Sequence, residues 1–495
     1  MDKQLTDNVR ERILAQVTPT KKELDVQKTV ITSLKYALSN HRSSKQYSYS
    51  FIEEQGSTGR KQTQLRGAAD IDLFVGLKPE DYSAILNQTQ QKRHREIDRL
   101  MDNMVKNWFE PAIADLDATN VQRAFSQHPY LSLKKNELEI DILGCFDIDS
   151  NYLAEKGPIT AVDRTVHHTR YIADRLNDEK RNDARILKSF VRASHAYGDR
   201  CAVGRMGITG VSLELLALFS KKLDDALFAL EHLNSKPIDP KNRSLKELRK
   251  IPTFKDDYII LIDPTDSQRN IASSFTPRAY EWVKYRIGKL REVSTMGSEE
   301  EVCELFLESP IPTDSLPKWI RKHAFAREFI SDGSKHYTIL RDKLYRVSKR
   351  IQTALQSERT GERRFGESLV EVYFEGDRYS IGLIVEEPKI SQYYTRRGPP
   401  MNLVEAAEEF RKSHRQVEVG EGFLWTTEER EWDNPKELID SILNDKPIQG
   451  LKITTKTSNV SKKVLNVLYR YILLVESSFL ERITKVKDSD HEKSR

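Results

Sequence analysis

Two aspartates one residue apart, Asp70 and Asp72, sit inside the short apolar run Asp70-Ile71-Asp72-Leu73-Phe74-Val75. Such a run predicts a strand. Side chains alternate along a strand, so both carboxylates project from one face while Ile71 and Leu73 point into a core. Adjacent carboxylates repel and are costly unless a cation lies between them. A hard divalent ion with oxygen ligands, Mg2+ first, is the natural partner. Two such ions can bridge an attacking hydroxyl and a nucleotide phosphate. Upstream stands Gly56-Ser57. Glycine lets the backbone approach a phosphate closely, and the serine hydroxyl and amides can donate to it. A later strand candidate, residues 138–143, puts two further acids, Glu139 and Asp141, on one face. The chain has no G-x-x-x-x-G-K-[ST] motif, and Gly56-Ser57-Thr58-Gly59 is not a dinucleotide fingerprint.

The elements that must hold these groups can be read from periodicity. Residues 1–41 predict helix interrupted near Pro19, and 49–56 an extended segment entering the Gly-Ser turn. Residues 84–116 predict helix with a break at Pro111, and 130–146 two strands joined at a polar turn around 134–136. From 149 to 233 the pattern is helical. A strand at 258–262 leads into Asp263-Pro264-Thr265-Asp266, and a helix begins near Pro277. Three prolines within 309–317 mark a domain boundary. Beyond it, 318–329 and 337–355 predict basic amphipathic helices, 369–374 and 378–385 a hairpin, and 402–413 and 435–443 short helices. Residues 464–483 predict one final apolar helix, and 485–495 a charged, disordered tail.

A chain of 495 residues is too long for one core and predicts several domains. With 38% hydrophobic and 31% charged residues it reads as soluble, and no run approaches the roughly 18 apolar residues of a membrane helix. The N-terminus lacks an apolar signal core, so the expected compartment is the cytoplasm. Cys145, Cys201 and Cys303 form no CxxC pair, which argues against a disulfide framework and a cysteine-pair zinc site. A net charge of +5 permits nucleic-acid binding through segregated patches without requiring it.

Gly-Ser followed by a strand-borne D-x-D resembles the signature of polymerase-β-like nucleotidyltransferases. Further stretches, in order, resemble the archaeal-type (class I) CCA-adding enzymes of that superfamily. They are His128-Pro129-Tyr130; Ile140-Asp141-Ile142 with Cys145-Phe146; Thr160-Ala-Val-Asp-Arg-Thr165; Arg185-Ile-Leu-Lys188; Gly207-Ile-Thr-Gly210 with Glu214-Leu-Leu216; Asp263-Pro-Thr-Asp266 with Arg269-Asn270; and Arg397-Gly-Pro-Pro400. Together with the Gly-Ser and D-x-D segments they cover roughly residues 5–445. Proline is usual in the family after Asp-Arg-Thr, where this chain has Val166; tyrosine is usual after the Ser/Thr-Gly step, where it has Val211.

The resemblance implies an α+β, multidomain protein. A palm with a small mixed sheet spans 1–155, a central helical, nucleotide-binding domain with a small sheet 156–310, C-terminal RNA-binding domains 311–450, and a helix with a charged tail 451–495. It aligns Asp141 as the third metal carboxylate, so that Asp70, Asp72 and Asp141 hold two Mg2+ ions. Nucleotide contacts are implied for Gly56, Ser57, Arg60, His168 (with His167 as its neighbour), Lys188 and Tyr197, and a base-reading role for Arg269. Arg396 and Arg397, beside a rigid Gly-Pro-Pro, are RNA-binding candidates. The implied activity is template-independent addition of C, C and A to the 3′ end of tRNA from CTP and ATP. The partners are the tRNA acceptor arm and the two nucleotides, with no membrane; the family includes dimers, so a homodimer is one allowed assembly. The rival readings are a poly(A) polymerase, an oligonucleotide second-messenger synthase, and an inactive RNA-binding protein. A bacterial-type CCA enzyme is disfavoured because no E-D-x-x-R motif is present.

Overall fold

The computed structural model describes residues 5–125, 128–456 and 458–492, with side chains through residue 484. The fold is α+β, in two compact units: Met1–Gly198 with Met206–Glu308, and Asp199–Arg205 with Ser309–Arg495.

The first unit opens with α1 (Asp7–Val17) and α2 (Lys21–Asn40). Proline 19 falls between them, where each helix is separately capped. Thr6 accepts from the Val9 amide, and Thr20 and Glu23 form a reciprocal capping box. A five-stranded sheet follows, built from β1 (Tyr49–Gln55), β2 (Asp70–Leu77), β3 (Thr119–Phe125), β4 (Pro129–Lys135) and β5 (Leu138–Phe146). Its order is β1-β2-β5-β4-β3, and only β2 and β5 run parallel. The crossover between them carries α3 (Gln90–Met104). One face of the sheet (Ile71, Leu73, Val75, Ile140, Ile142) packs on Val30, Leu34 and Leu38 of α2 and Ile97, Met101 and Met104 of α3. Burial of each such side chain stabilises the fold by about 1.5–3 kcal/mol.

The helical part contains α4 (Asp163–Ala173), α5 (Asp178–Ala193), α6 (Gly210–Phe219), a small sheet of β6 (Ile262–Asp263) and β7 (Asp266–Asn270), and α7 (Pro277–Met296).

The second unit has a four-stranded sheet in the order β14-β8-β10-β9, from β8 (Ala324–Ser331), β9 (Ser368–Glu375), β10 (Arg378–Val385) and β14 (Leu451–Thr454). The helix α8 (Tyr337–Gln356) joins its core. A separate three-stranded sheet, in the order β11-β13-β12, comprises β11 (Tyr393–Pro400), β12 (Val417–Gly420) and β13 (Phe423–Glu429) and carries α9 (Val404–Ser413) on one face. The chain closes with α10 (Pro435–Asp445), α11 (Asn459–Val467) and α12 (Ser477–Glu492).

Several elements differ from the sequence expectation. Residues 318–329 are not one helix: a single turn, Lys318–Arg321, gives way to β8, where Glu328 and Phe329 are buried and Arg327 pairs with Asp440. The run 258–262 is not laid out as a strand: Tyr258 is exposed, Ile259 to Ile262 are buried, Ile260 and Ile262 in a local core, and only Ile262 enters β6. Beyond α3 the helix continues through a π turn, Val105–Phe109, and ends at Ala112, one residue past the break expected at Pro111. The final helix is two, parted at Glu476, and the expected disordered tail continues α12 to Glu492; residues 493–495 lie outside the described residues. Cys145, Cys201 and Cys303 are buried as thiols, that of Cys201 donating to the Gly204 carbonyl at 3.1 Å. Among the described residues no helix is long and apolar enough to cross a membrane.

Candidate active site

The free face of the five-stranded sheet is divided along its length. Toward the ends of β2 and β5, Phe74, Leu143 and Cys145 are covered by Val166 of α4. Nearer their starts the same face carries acids. The parallel register sets Asp72 beside Asp141 and Asp70 beside Glu139. Adjacent strands are about 4.8 Å apart, so the two pairs lie side by side. Burial raises the Asp141 carboxyl to about 7; a hydrogen bond from Ser132 opposes this, and the charges of Asp72, Asp70 and Glu139 add to it. Burial also raises Asp72, with Lys61 pulling the other way.

Among the described residues no three carboxylate, histidine or cysteine side chains already stand as a cage for one ion. The donor set nonetheless fits a hard divalent cation. It is all carboxylate oxygen, and burial, with its neighbours' charges added, disfavours the charged form of Asp141, a cost that a cation on that face relieves.

The turn after β1 comes against this face. Gly56 has φ of +69°, and a Cβ there would fall 2.6 Å from Asp72 Oδ2, so glycine is required by both conformation and space. Thr58 Oγ1 donates to the Asp70 carbonyl at 2.6 Å and the Thr63 amide to the Ser57 carbonyl at 3.0 Å. The next cation in the loop that turns inward is Lys61, not Arg60. Arg60 is half exposed and 3.7 Å from Glu53, whereas Lys61 is buried and bonds Glu214 of α6 at 2.6 Å. Lys61 is close enough for its charge to act on both Asp72 and His168.

Lys188 of α5 is also buried. Its ammonium reaches Glu214 Oε1 at 2.6 Å, Thr63 Oγ1 at 2.8 Å and the Thr63 carbonyl at 3.1 Å, which uses all three of its donors. Tyr197 lies alongside: a Cβ on Gly210 would fall 2.6 Å from its hydroxyl and 3.3 Å from Lys188 Cε. Burial, then the charges of Glu214 and Asp70, push the Tyr197 phenol up, so it stays a donor.

His168, Asp263 and Arg269 form a further group. Asp263 Oδ2 is 3.2 Å from Arg269 Nη1 and 3.7 Å from His168 Nδ1, while its Oδ1 accepts from the Thr265 amide and hydroxyl. Burial works against the Asp263 carboxylate, but His168 and Thr265 outweigh it and hold the group at about 2. Arg164, four residues before His168, binds Asp266 at 2.6 Å, so two motifs a hundred residues apart are fastened together. Asp163 ties α4 back to the sheet by accepting from the Phe146 amide at the end of β5. The neighbouring His167 points elsewhere, into a cleft of about 720 Å3 with Asp147, Arg170 and Thr265.

Arg396 and Arg397 lie in the second unit, on opposite faces of β11. Arg396 pairs with Glu428 at 2.7 Å beneath α9. Arg397 is exposed, its guanidinium 4.8 Å from the Phe423 ring centre.

Sequence reasoning passed over Lys61, Thr63, Glu214 and Asp263 as site residues. The signal for Glu214 and Asp263 was their position inside the recognised motifs; Lys61 and Thr63 lie in a loop with no periodicity to orient them.

Residues 182–294 match the family model described as tRNA nucleotidyltransferase, second domain. That span holds Lys188, Tyr197, Glu214, Asp263 and Arg269. Over 404 residues the chain is 26% identical to the CCA-adding enzyme of Sulfolobus acidocaldarius, covering 80% of this chain and 84% of that protein. The CCA-adding enzyme of Saccharolobus islandicus is 27% identical over 391 residues, 77% of this chain and 80% of that protein. A solved cytoplasmic RNA terminal U-transferase aligns with 62% of this chain at a TM-score of 0.43 and 12% identity. By sequence, then, the chain is similar over most of its length to the archaeal CCA-adding enzymes, and residues 182–294 are similar to the second domain of tRNA nucleotidyltransferases.

Proposed function

We propose that this protein is a nucleotidyltransferase that builds and repairs the 3′-terminal CCA of tRNA from CTP and ATP, releasing pyrophosphate. The observation that carries the reading is the β2/β5 register: it aligns Asp72 with Asp141 on a face shared with Asp70, directly under the Gly56 turn. In this reading residues 1–155 form the palm, 156–310 the central domain, 311–450 the RNA-binding domains and 451–495 a terminal helix and tail.

Asp70, Asp72 and Asp141 hold divalent ions, with Mg2+ the expected species. Bound there, Mg2+ supplies Lewis-acid stabilisation to the 3′-hydroxyl and to the phosphate oxygens. The Gly56-Ser57 turn offers amides and a hydroxyl to the triphosphate, and the Tyr197 phenol a further donor. Arg269 presents a rigid fork to the incoming base, fixed by Asp263, which also fixes His168. The 3′-oxygen forms its bond to the α-phosphorus as the α–β bridge breaks and pyrophosphate leaves. Such in-line transfer is mostly positioning and electrostatics. Arg397, exposed on its strand, contacts the RNA backbone, and a homodimer is one assembly for the whole.

The test is incorporation by purified protein with Mg2+ on tRNA transcripts ending before CCA, after C and after CC, each with CTP, ATP or both. Two C additions followed by one A and a stop are expected. Long A tails, or products without RNA, overturn the substrate assignment and leave nucleotidyl transfer intact. Absence of incorporation with retained tRNA binding favours the binding-protein reading.

A further inference from the structure

The 56–67 loop is held from behind by side chains that the chemistry above leaves unused. Arg181, Arg185 and Lys188 stand at i, i+4 and i+7 on α5, the spacing of one helix face. They donate to four consecutive backbone carbonyls. Arg181 Nε reaches Lys61 O at 3.3 Å, Arg185 reaches Gln62 O and, at 3.4 Å, Gln64 O, and Lys188 Nζ reaches Thr63 O at 3.1 Å. From the other side Glu214, fully buried on α6, accepts from Lys61, Lys188 and Thr63 Oγ1. The loop so clamped is strained: Gln62 has φ of +50°, a conformation that a side-chain-bearing residue adopts at a cost. Such a residue persists where its surroundings over-determine it.

The clamp is coupled to the chemistry by short links. The Thr63 amide bonds Ser57, and Thr58 bonds the Asp70 carbonyl. A shift of Thr63 therefore moves the phosphate-binding turn and the start of the acid-bearing strand together. Glu214 also keeps two ammonium groups in a dry site, where either one alone is costly.

We propose that Glu214, with Arg181 and Arg185, are positioning residues that lock the 56–67 loop in its strained shape and so set the Gly56-Ser57 turn against Asp72 for the incoming triphosphate. The inference rests on the nucleotidyl-transfer reading and adds to it the parts that make the phosphate site rigid before substrate arrives.

The test is Glu214→Gln, which keeps the size and removes the charge, beside Arg185→Gln. A core variant, Leu290→Ala on α7, serves as the stability control. In Glu214→Gln, KM for CTP and ATP is expected to rise about tenfold or more, the scale of one charge-assisted hydrogen bond. Here kcat changes by less than about threefold, because the lost interaction is one of binding. Hydrogen exchange of the 56–67 amides should accelerate by about tenfold while that of β5 does not change. Arg185→Gln should move both readouts the same way by less, and it carries the test where Glu214→Gln does not fold. Leu290→Ala should lower Tm and leave KM and loop exchange unaltered. Unchanged KM and loop exchange in both clamp variants, or changes no larger than those of Leu290→Ala, overturn the proposal. If the wild-type protein transfers no nucleotide, the functional reading fails, while the exchange comparison still decides whether the clamp locks the loop.

Discussion

The acidic face of the five-stranded sheet and the clamp behind the 56–67 loop hold similar charged groups in opposite states. On the sheet, Asp70, Asp72, Asp141 and Glu139 share one face, and burial, with the charges of the other three adding to it, pushes Asp141 up to about 7. In the clamp, Glu214 meets Lys61 and Lys188, which overcome the cost of its burial and hold it well below the usual carboxylate range. The first set is offset only in part, by Lys134 on Glu139, the charge of Lys61 on Asp72 and Ser132 on Asp141; the second is matched by two buried ammonium groups. In the proposed reading the difference separates groups that receive a ligand from groups that hold backbone, although both sets lie against the same loop. Strain left at a site that binds is a common trade of stability for activity.

The sharpest way to break this comparison is to neutralise one member of the acidic face. Asp72→Ala and Asp141→Asn should each lower incorporation about 1000-fold or more, from loss of several kcal/mol of metal-borne stabilisation, with tRNA binding retained. Asp141→Asn should also raise Tm in EDTA, because it removes a carboxylate whose charged form burial and the neighbouring acids disfavour. An Asp141→Asn variant that loses stability as well as activity counts against a carboxylate disfavoured by its site. So does one that keeps full activity.

The same face fixes the sign of a pH effect. The Asp141 carboxyl is raised in the folded state, so its contribution to stability is complete below its unfolded value near 4. That contribution is lost as pH rises through about 7. In EDTA, the Tm of the wild-type protein should fall over that window, and Asp141→Asn should flatten the slope. Saturating Mg2+ should restore the Tm above pH 7, by about 2.7 kcal/mol of stability at a hundredfold excess over Kd. Thermal melts at pH 4–8 with and without Mg2+ decide it, and a flat wild-type profile in EDTA removes the case for a raised Asp141 carboxyl.

How much of this was legible in the sequence depends on whether regular periodicity carried it. Asp70 and Asp72 could be placed on one face because a strand alternates. Choosing Asp141 over Glu139 needed the family resemblance, since both lie on the same face of β5; the register adds that Asp141 is the one beside Asp72. Loops give no such rule. Arg60 and Lys61 are adjacent and equally basic, and only the left-handed corner at Gln62 and the pull of Glu214 turn Lys61 inward. Strand β3 was missed because nearly all of it is exposed on the sheet edge, which erases the alternation that marks a half-buried strand. The stretch 318–329 misled for a different reason. Its charges and aromatics fit a helix face, but the pairing of β8 between β10 and β14, which no local pattern encodes, decided it.

The Arg60/Lys61 pair sharpens the comparison at single-residue resolution. Lys61→Met removes a buried charge that acts on Asp72 and His168, and it should raise KM for nucleotide about tenfold or more. Arg60→Met removes an exposed guanidinium whose pairing with Glu53 is worth at most about 1 kcal/mol, and KM should shift by less than about threefold. Equal effects in steady-state titrations of CTP and ATP would mean that the two residues share the work, and that the inward turn of Lys61 is structural only.

The smallest effects are expected in the second unit, where two arginines one residue apart repeat the division between held and offered charge. Arg396 is engaged with Glu428 and lies near the Phe410 ring, so Arg396→Ala should cost stability, about 1 kcal/mol or less for a partly exposed pair. Arg397 faces solvent, its guanidinium near Phe423, and Arg397→Ala should leave Tm unchanged. It should weaken tRNA binding by about threefold to tenfold and reduce the slope of log affinity against log salt by about one, as the loss of one phosphate contact does. Nucleotide KM should be unaffected in both. Binding titrations at several salt concentrations separate the two residues: an Arg396 variant with the shallower salt slope would reverse the assignment of which face of β11 meets RNA, and would place the RNA under α9 instead.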